Sequence, residues 1–564
     1  MRIESLNAKN GDPILKIDDY YLHSKYNPKR EAEQFVTSKY KPDTVQILYG
    51  VGKEYILNEL IKVRKNKEKI LVVEPILSIN IKAENVFVCT FESKDDLSRF
   101  LNQHIRMIDT LNILTAPNYD KISMEKYKDF LEVVNRKLQH SSVDESTMKM
   151  FTDKWQENYI SNLKCASLDQ SIVNLKSYYN TPVVVASGGP SLTKQIPLLK
   201  KYREKFVLIA SGSTINSLIH NGIEPDYVVS IDGGNANFEH FKNLELQNSQ
   251  FMYSVQSHPE IRNSFTRQGY YFLPMNAAVS INHLAKIVDE DPVVVPGGGS
   301  VANYAFSIAT FISSGPIALV GQDLAYTDNK THAENNKHAK LLDETFKSSN
   351  NLFYTEGYNG DSVLTSYSFD TMKNSFEQLA LSIVGKREIF NSTEGGVLIK
   401  NFENISFEVF CKKYAKENVL IQLTPKISME KEKLEKLLIK VKAEIKIYSR
   451  LGILLKKNME LLKKNTLKTY FEKSIITKIE KNDKEIRKLV QKTCIDTSIK
   501  QVNYEVLKYF KEQKNESAED AYNRIYKQSH YLYNNMLEAV NRTSFYMEKQ
   551  LIENLNGELE KING

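Results

Sequence analysis

The feature that most constrains the fold is a series of short, almost wholly apolar runs between residues 181 and 323. Runs without polar alternation are typical of strands buried on both faces, so we predict a doubly wound parallel α/β sheet. Nearly every run ends in Ser, Gly or Asp, which places polar loops at one sheet edge, where open α/β folds bind ligands. The runs are PVVVAS (182–187), KFVLIAS (205–211), DYVVSID (226–232), FMYSVQS (251–257), YYFLP (270–274), PVVVPGGG (292–299) and PIALVGQD (316–323).

Two flanking regions have different patterns. Before residue 150, the apolar runs VQILYGVG, KILVVEP and NVFVCTF alternate with amphipathic segments, which predicts a Rossmann-like α/β domain. Residues 453–556 contain neither Gly nor Pro, and apolar residues upstream already recur at helical spacing, which predicts an all-α domain. The predicted domains are therefore 1–150, 151–410 and 411–564, the central one carrying the doubly wound sheet.

Composition excludes several classes of protein. The 76 Lys and Arg against 69 Asp and Glu give a net charge of only +7, which does not indicate a nucleic-acid-binding protein. The four cysteines lack CxxC or Cys/His spacing, which argues against a zinc site or disulfide framework and fits a reducing cytoplasm. No secretory leader is evident, and the most apolar long run, 304–320, is interrupted by polar residues. We expect a soluble cytoplasmic protein with no membrane span and no metal.

The stretch TPVVVASGGPSL (181–192) predicts a strand followed by a glycine turn and a helix start. Glycine lets backbone N–H groups approach a ligand closely, and a helix start directs unpaired N–H groups at an anion. Pro190 suits a first helical turn, and Ser191 can cap the helix or donate to a ligand oxygen. Phosphate is the expected ligand. The alternative is a tight strand-to-helix turn with a satisfied cap.

Three further loops, SGST (211–214), DGGN (232–235) and PGGGSVAN (296–303), also follow predicted strands. We predict that these loops lie on one edge of the sheet and form a nucleotide pocket, in which an acidic residue can accept a hydrogen bond from a ribose hydroxyl. Neither a Walker loop nor GxGxxG is present. The candidate binding residues are Ser187, Gly188, Gly189, Pro190, Ser191, Ser211, Gly212, Ser213, Gly233, Gly234, Gly298, Gly299, Ser300 and Asn303.

Several motifs together resemble the motility accessory factor (Maf) glycosyltransferases. They are SGGPSL, NGIEPDYVVSIDGG (221–234), GGGSVAN, ALVGQDLAYTDNKTHAE (318–334), LHSKYNPKREAEQFV (22–36), LYGVGKEYILNEL (48–60) and NSTEGGVLIKNF (391–402). The resemblance implies transfer of a nonulosonic acid, pseudaminic or legionaminic, from a CMP-activated donor to Ser/Thr hydroxyls of flagellin. It also implies a role in flagellum assembly and motility, with no required cofactor.

The central block is also similar to bacterial sialyltransferases that use a CMP-linked sugar. By that similarity Gly189, Pro190 and Ser191 match a CMP-binding GPS turn, Ser300 matches a nucleotide-contacting serine and Asp323 an acidic residue after the next strand. Those enzymes commonly carry Asn where this chain has Gly188. Contacts of that side chain must therefore come from backbone N–H groups or from another loop.

A general base must accept the acceptor's hydroxyl proton, ideally with a pKa near the working pH. Our first candidate is His332, followed by Asp323 and Asp232, with His258 behind them. Each has a structural alternative: a loop histidine is often only solvated, Asp before Gly-Gly makes local turns, and Asp323 could cap a loop.

Two features outside the central block carry weaker signals. Gly50 and Gly52, with Glu74 further on, partly match a dinucleotide or adenosyl-methionine fingerprint without its third glycine, and we favour a structural or vestigial turn. The Lys-rich helical domain 411–564, with aromatic clusters such as 526–549, is either a structural cap whose aromatic residues are core or the domain that docks flagellin.

Two rival functions stay open. The central block also resembles archaeal-type 6-hydroxymethyldihydropterin diphosphokinases, in which Asp232 and Asp323 would hold the magnesium that accompanies ATP. The long flanking regions tell against a small pterin substrate. The other rival is a non-enzymatic flagellin-binding chaperone with a degenerate pocket.

Overall fold

The computed structural model describes most of the chain, and its residues group into two compact units. One unit comprises Met1–Phe151 with Asn503–Gln528, and the other Thr152–Val502 with Ser529–Gly564. The described residues are 1–65, 68–275, 280–337, 339–343, 346, 352–465, 470–512 and 516–563, apart from the side chains of 140–148 and 497. The division into three domains stays a prediction. Most of the C-terminal helical residues pack in the same compact unit as the central sheet.

The first unit has a three-stranded antiparallel sheet and a four-stranded parallel sheet in the order β6-β5-β4-β7. Its strands are β1 (Ile3–Asn7), β2 (Pro13–Ile17), β3 (Tyr20–Tyr21), β4 (Val45–Tyr49), β5 (Ile70–Glu74), β6 (Val86–Thr90) and β7 (Leu111–Thr115). Its helices are α1 (Pro28–Lys39), α2 (Tyr55–Val63), α3 (Lys94–His104), α4 (Tyr119–Ile122) and the first part of α5 (Met124–Leu168). The predicted Rossmann-like α/β pattern is confirmed, with β4 and β5 fully buried.

The second unit is built on a ten-stranded parallel sheet in the order β14-β13-β12-β11-β10-β9-β15-β18-β19, with β8 beside β13. The strands, with the hairpin β16–β17, are β8 (Gln170–Ser171), β9 (Val183–Ala186), β10 (Val207–Ser211), β11 (Tyr227–Ser230), β12 (Gln250–Ser254), β13 (Tyr270–Pro274), β14 (Val294–Val295), β15 (Ile317–Val320), β16 (Leu352–Glu356), β17 (Ser362–Ser366), β18 (Ile389–Asn391) and β19 (Glu403–Asn404). Strand order reverses between β9 and β15, so this pair forms the topological switch point.

Helices cover both faces of this sheet, as a doubly wound fold requires. Alternate residues of β9 face opposite sides: Val183 and Val185 pack with α10, Val184 and Ala186 with α6 and α12. The helices that follow β8 in the chain are α6 (Leu192–Lys201), α7 (Ile215–His220), α8 (Asn235–Phe238), α9 (Ile281–Val288), α10 (Val301–Ile312), α11 (Tyr367–Leu381), α12 (Phe407–Tyr414), α13 (Lys431–Lys464), α14 (Lys473–Val490), α15 (Asp496–Tyr509), α16 (Ala518–Tyr546) and α17 (Glu553–Asn563), with a π-helical turn at Met547–Ile552. Residues 503–528, from α15 and α16, belong to the first unit.

A buried polar network joins the C-terminal helices to the rest of the second unit. Nε2 of His283 on α9 lies 2.7 Å from Glu444 on α13, and its Nδ1 lies 2.7 Å from the Tyr159 hydroxyl on α5. The Tyr448 hydroxyl and the Cys494 N–H also donate to Glu444. Cys494 therefore lies beside a histidine and a carboxylate, a grouping that sequence spacing did not reveal.

The helices in the described ranges include none with an apolar stretch long enough to cross a bilayer.

Candidate active site

The loops that follow β9 and β15 meet at the switch point and are bonded to each other. The Ser187 hydroxyl donates to Gln322 at 2.6 Å, and the Gly189 N–H donates to the Gly321 carbonyl at 2.8 Å. The polar loops after β9 and β15, the two strands of the switch point, therefore lie together at one edge of the sheet, as the sequence predicted.

The Asp323 carboxylate, from the loop after β15, lies at the N-terminal end of α6. It accepts from the Ser191 N–H at 3.2 Å, the Ser191 hydroxyl at 2.6 Å and the Thr327 hydroxyl at 2.7 Å. A Cβ on Gly189 would lie 2.2 Å from this carboxylate, so only glycine fits there. The N–H groups of Gly189 and Ser191, which we expected to bind phosphate, are therefore bonded within the protein, with a carboxylate where an anion would lie.

The loop after β18 seals Asp323 from solvent. A Cβ on Gly395 would lie 2.6 Å from the Ser191 hydroxyl, and the Val397 N–H donates to the Asp323 carbonyl at 2.8 Å. Asp323 is only 1% exposed, and this burial raises its pKa although the hydrogen bonds oppose the rise. Its chemistry is that of an internal cap.

Gly188 contacts the loop after β10 and the segment that carries His332. A Cβ on Gly188 would lie 3.6 Å from the Ser213 hydroxyl and 3.5 Å from the Thr214 hydroxyl, and the Ala333 N–H donates to the Gly188 carbonyl at 2.9 Å. His332 is half-buried beside this contact. The predicted residues Gly188, Ser213 and His332 therefore belong to one neighbourhood.

Ser211 and Gly212 serve mainly to hold this neighbourhood together. The Ser211 hydroxyl lies 2.9 Å from that of Thr214, and a Cβ on Gly212 would lie 3.3 Å from the Asn237 side chain on α8.

Asp232 differs from Asp323 in having its carboxylate open to solvent. Its backbone is fixed, because its carbonyl accepts from the His258 N–H at 3.1 Å and from the Asn237 amide at 2.9 Å. Within the described part of the chain its carboxylate has no hydrogen bond or ion pair, and the side chain is exposed. The protein crowded around it nevertheless raises its pKa. A fixed, accessible carboxylate with a raised pKa is suited to proton transfer or to ligand binding.

The glycines beside Asp232 have separate roles. Asn158 on α5 donates to the Gly233 carbonyl at 3.0 Å, and a Cβ on Gly233 would lie 2.3 Å from that amide. A Cβ on Gly234 would meet no atom within 4 Å, so this position has open space.

The loop before α10 packs closely against α11. A capping box starts α10: the Asn303 N–H donates to the Ser300 hydroxyl, and the Ser300 N–H donates to the Asn303 side-chain oxygen at 3.1 Å. The Asn303 side-chain amide also donates to the Met372 carbonyl on α11. A Cβ on Gly298 would lie 2.2 Å from Ser375, and one on Gly299 would lie 3.5 Å from Met372. Their observed role is to start and pack the helix.

Tyr304, which sequence reasoning missed, lies near Asp232. Burial raises the pKa of Tyr304 to about 12, and the negative charge of Asp232 adds to the rise. Its phenol is therefore protonated at neutral pH. Its position directly after the SVAN motif was the only available signal.

His258 is anchored by its ring. It stacks on Phe238, with centroids 4.8 Å apart, and its Nε2 lies 3.0 Å from the Asn235 side-chain oxygen. Its Nδ1 accepts from the Glu260 N–H, and burial lowers its pKa. The ring holds the loop after β12 against the loop that carries Asp232.

The GVG turn of the first unit is filled from inside. The Val51 N–H donates to Glu74 at 2.9 Å, and the Gly52 N–H donates to the Tyr119 hydroxyl, which donates in turn to Glu74. A Cβ on Gly50 would lie 2.3 Å from the Tyr119 ring. These bonds agree with the structural interpretation of the turn.

Comparison with known proteins identifies relatives of the whole fold and of its centre. A family model described as 6-hydroxymethylpterin diphosphokinase MptE-like matches residues 157–329. An uncharacterized protein of Treponema pallidum (strain Nichols) is 22% identical over 138 residues, which are 22% of this chain and 64% of that protein. The match therefore spans less than two thirds of that relative.

A solved Maf glycosyltransferase from Magnetospirillum magneticum AMB-1 superimposes with a TM-score of 0.56 at 13% identity, covering 98% of this chain and 95% of that one. The chain therefore shares, along almost its whole length, the fold of a Maf glycosyltransferase, and its centre resembles the MptE-like family, as the sequence motifs predicted.

Proposed function

We propose that this chain is a glycosyltransferase that transfers a nonulosonic acid, of the pseudaminic or legionaminic type, from a CMP-activated donor to Ser/Thr hydroxyls of flagellin. The likeness of fold to a Maf glycosyltransferase supports the class of reaction. The observation that carries the proposal is Asp232, an exposed carboxylate with a raised pKa on a loop at the ligand-binding edge of the sheet.

In the proposed reaction the acceptor hydroxyl oxygen attacks the anomeric carbon of the sugar. The bond from that carbon to the phosphate oxygen breaks, CMP leaves with the electron pair, and Asp232 takes the hydroxyl proton. The raised pKa of Asp232 makes its carboxylate a stronger base than that of an ordinary aspartate. We place the base here rather than at Asp323, which is sealed and hydrogen-bonded. His332 remains the second candidate.

Negative charge grows on the departing phosphate as the bond breaks. Donors that are already fixed in place stabilise this charge without reorganising. The Ser213 hydroxyl and the Gly188 backbone are suited to that role. These donors are uncharged, so they would stabilise the negative charge of the departing phosphate through hydrogen bonds.

The direct test is an incubation of purified protein with flagellin and CMP-pseudaminic or CMP-legionaminic acid. We expect flagellin to gain the mass of whole sugar residues by intact-protein mass spectrometry, with one CMP released per sugar. Unchanged flagellin with both donors, while CMP is also not released, would exclude the proposal.

The family match to residues 157–329 favours a second candidate function, ATP-dependent pyrophosphate transfer to a pterin. In that reaction the exposed Asp232 carboxylate would hold magnesium. AMP formation from ATP and magnesium that depends on 6-hydroxymethyldihydropterin would support it. Flagellin binding without any transfer would instead support the non-enzymatic chaperone.

We also propose that the 526–549 stretch of α16 and the following turn docks flagellin. Truncation near residue 425 is an unsuitable test, because it would remove Glu444 and leave His283 without its partner. Phe545 is 56% exposed in this stretch, and Ile439 is 69% exposed on α13 outside it. We expect Phe545→Asp to weaken flagellin binding and Ile439→Asp to leave it unchanged; equal binding by both variants would contradict this docking site.

A further inference from the structure

Polar groups from two separate segments converge on the bare backbone of Gly188. The position that a Cβ would take there lies 3.1 Å from the Asn336 side-chain nitrogen, 3.5 Å from the Thr214 hydroxyl and 3.6 Å from the Ser213 hydroxyl. A side chain at 188 would press against the Asn336 amide. The absence of a side chain at Gly188 thus lets the Asn336 amide and two hydroxyls lie close to its backbone.

Asn336 is held in this position by hydrogen bonds from its side chain and from its chain neighbours to other loops. Its amide donates to the Ser213 carbonyl at 3.1 Å, and the Ala333 N–H donates to the Gly188 carbonyl. The segment is also fixed to α6 and α7, because the Glu334 N–H donates to Thr193 and the Ser217 hydroxyl donates to the Glu334 carbonyl. Asn336 is 6% exposed, so its amide is preorganised rather than a mobile surface group.

Donors at this face are still available. Among the described residues nothing accepts from the Gly188 N–H or bonds the Ser213 hydroxyl, and both residues are half-buried. The lysines of the neighbouring segment are used elsewhere: Lys330 pairs with Glu334, and Lys337 donates to the Glu239 carbonyl. The face thus offers neutral N–H and O–H groups.

The start of α6 is less suited to an anion than this face. Asp323 already takes the Ser191 N–H and hydroxyl, and its carboxylate would repel a second anion when ionised. Within the described residues, the Gly188 side therefore offers an oxyanion at the switch point better donors than the start of α6 does.

We propose that Asn336, with the Ser213 hydroxyl and the Gly188 N–H, binds the phosphate of the nucleotide donor. This inference rests on the proposed function and adds a phosphate-binding residue from the segment after β15. The amide nitrogen donates to a phosphate oxygen while the segment holds it against the loops after β9 and β10.

The test compares phosphate-bearing and phosphate-free ligands. CMP and cytidine are titrated calorimetrically into the full-length protein and into the variants Asn336→Ala and Asn336→Asp. The matched control is Asn221→Ala, whose amide bonds only the Ser217 carbonyl in the described residues. Thermal melting of each variant without ligand establishes that it is folded.

We expect Asn336→Ala to raise the Kd for CMP about tenfold, as loss of a hydrogen bond to a charged group predicts, and to leave cytidine binding unchanged. Asn336→Asp keeps the shape but places a carboxylate by the phosphate, so its Kd for CMP rises further. Asn221→Ala binds both ligands as the wild type does.

Two results would overturn this inference alone: wild-type CMP affinity in both Asn336 variants, or equal weakening of CMP and cytidine, which would show that Asn336 only holds the segment. Wild-type protein that binds ATP with magnesium but not CMP would overturn the proposed function and, with it, this inference. The two failures are therefore distinguishable.

Discussion

The strand-to-helix turns of the two units solve the same problem in similar ways. In the first unit Glu74 accepts from the Val51 N–H, and in the second Asp323 accepts from the Ser191 N–H. In both, a carboxylate of the protein itself takes the N–H groups that would otherwise invite an anion. A glycine turn before a helix therefore predicts a close approach to the backbone, but not that the approaching group is a ligand.

The two turns differ in what lies around them. In the first unit, the Tyr119 and His23 rings lie where side chains on Gly50 and Gly52 would project, and the neighbouring N–H groups are bonded to these residues or to Glu74. In the second, Gly188 is half-buried beside the Ser213 hydroxyl, which has no hydrogen bond to any described residue, and Asp232 after β11 is exposed. Polar groups that the fold leaves unused distinguish the candidate active site.

The largest expected effect comes from removing the exposed carboxylate. Asp232→Asn keeps the shape but cannot accept the proton, so we expect transfer to fall by roughly 10²–10⁴-fold, as loss of a general base predicts. CMP affinity should stay within about twofold, because the proposed phosphate site lies at Gly188. Steady-state transfer with flagellin measures the first quantity and calorimetry the second. A variant with wild-type transfer would remove Asp232 from the mechanism.

The same residue predicts the pH dependence of transfer. The pKa of Asp232 is raised above 3.8, so the base is lost as pH falls through that raised value and activity declines on the acid side. A pH profile of kcat should show this acid limb in the wild type, and residual activity of Asp232→Asn should lack it. An identical limb in the variant would assign the titration to another group, with His332 the first to examine.

The next effect concerns the closed turn of the first unit. Glu74→Ala leaves the N–H groups of Val51, Ile76 and Leu77 without their acceptor, so we expect the local free energy of opening to fall by roughly 3 kcal/mol. Hydrogen exchange at these amides measures it. Glu74→Gln, which keeps one carbonyl oxygen, should lose less. Unchanged exchange in Glu74→Ala would show that the carboxylate does not hold the turn.

A smaller effect is expected at the matching carboxylate of the second unit. Asp323→Asn retains one acceptor oxygen for Ser191, so we expect a loss of about 1–2 kcal/mol in stability. Transfer by the folded protein should change little. Urea unfolding and steady-state transfer measure the two quantities separately. A hundredfold loss of transfer in a stable Asp323→Asn, with Asp232→Asn active, would exchange the roles of the two aspartates.

The smallest expected effect is none. Because the N–H groups of the GVG turn are bonded internally, NAD and adenosyl-methionine should show no binding to this protein in calorimetric titrations. Micromolar affinity for either, lost on substituting Gly52, would mean that the turn opens to a ligand and that the two turns are alike.

The parallel strands were predictable because apolar runs without alternation have few other stable placements. β7 was missed because LNILT carries Asn112, a polar residue whose burial is possible only through hydrogen bonds to Gln46 and the Lys39 carbonyl. The link between α9 and α13 was also invisible, since His283 and Glu444 are 161 positions apart. The local sequence pattern predicts a strand or a helix. A buried polar pair becomes known only when the structure shows both of its residues in contact.

The site was predictable as a set of loops, but not as a set of roles. Asp232 and Asp323 both follow buried strands and look equivalent in sequence, yet one is exposed and the other is enclosed by hydroxyls and by the Gly395 loop. Tyr304 and Asn336 lie only a few residues from recognised motifs, but their contacts are with distant segments. Three-dimensional packing decides which polar groups form hydrogen bonds within the protein.

The most direct test of the central claim is thermal stabilisation of the wild-type protein by CMP, CTP, ATP and GTP, each with and without magnesium. A ligand that binds only the folded state raises the Tm, and the rise grows with the logarithm of its concentration relative to Kd. We expect a rise in Tm with CMP that does not depend on magnesium. A rise with ATP and magnesium only would contradict it and favour pyrophosphate transfer.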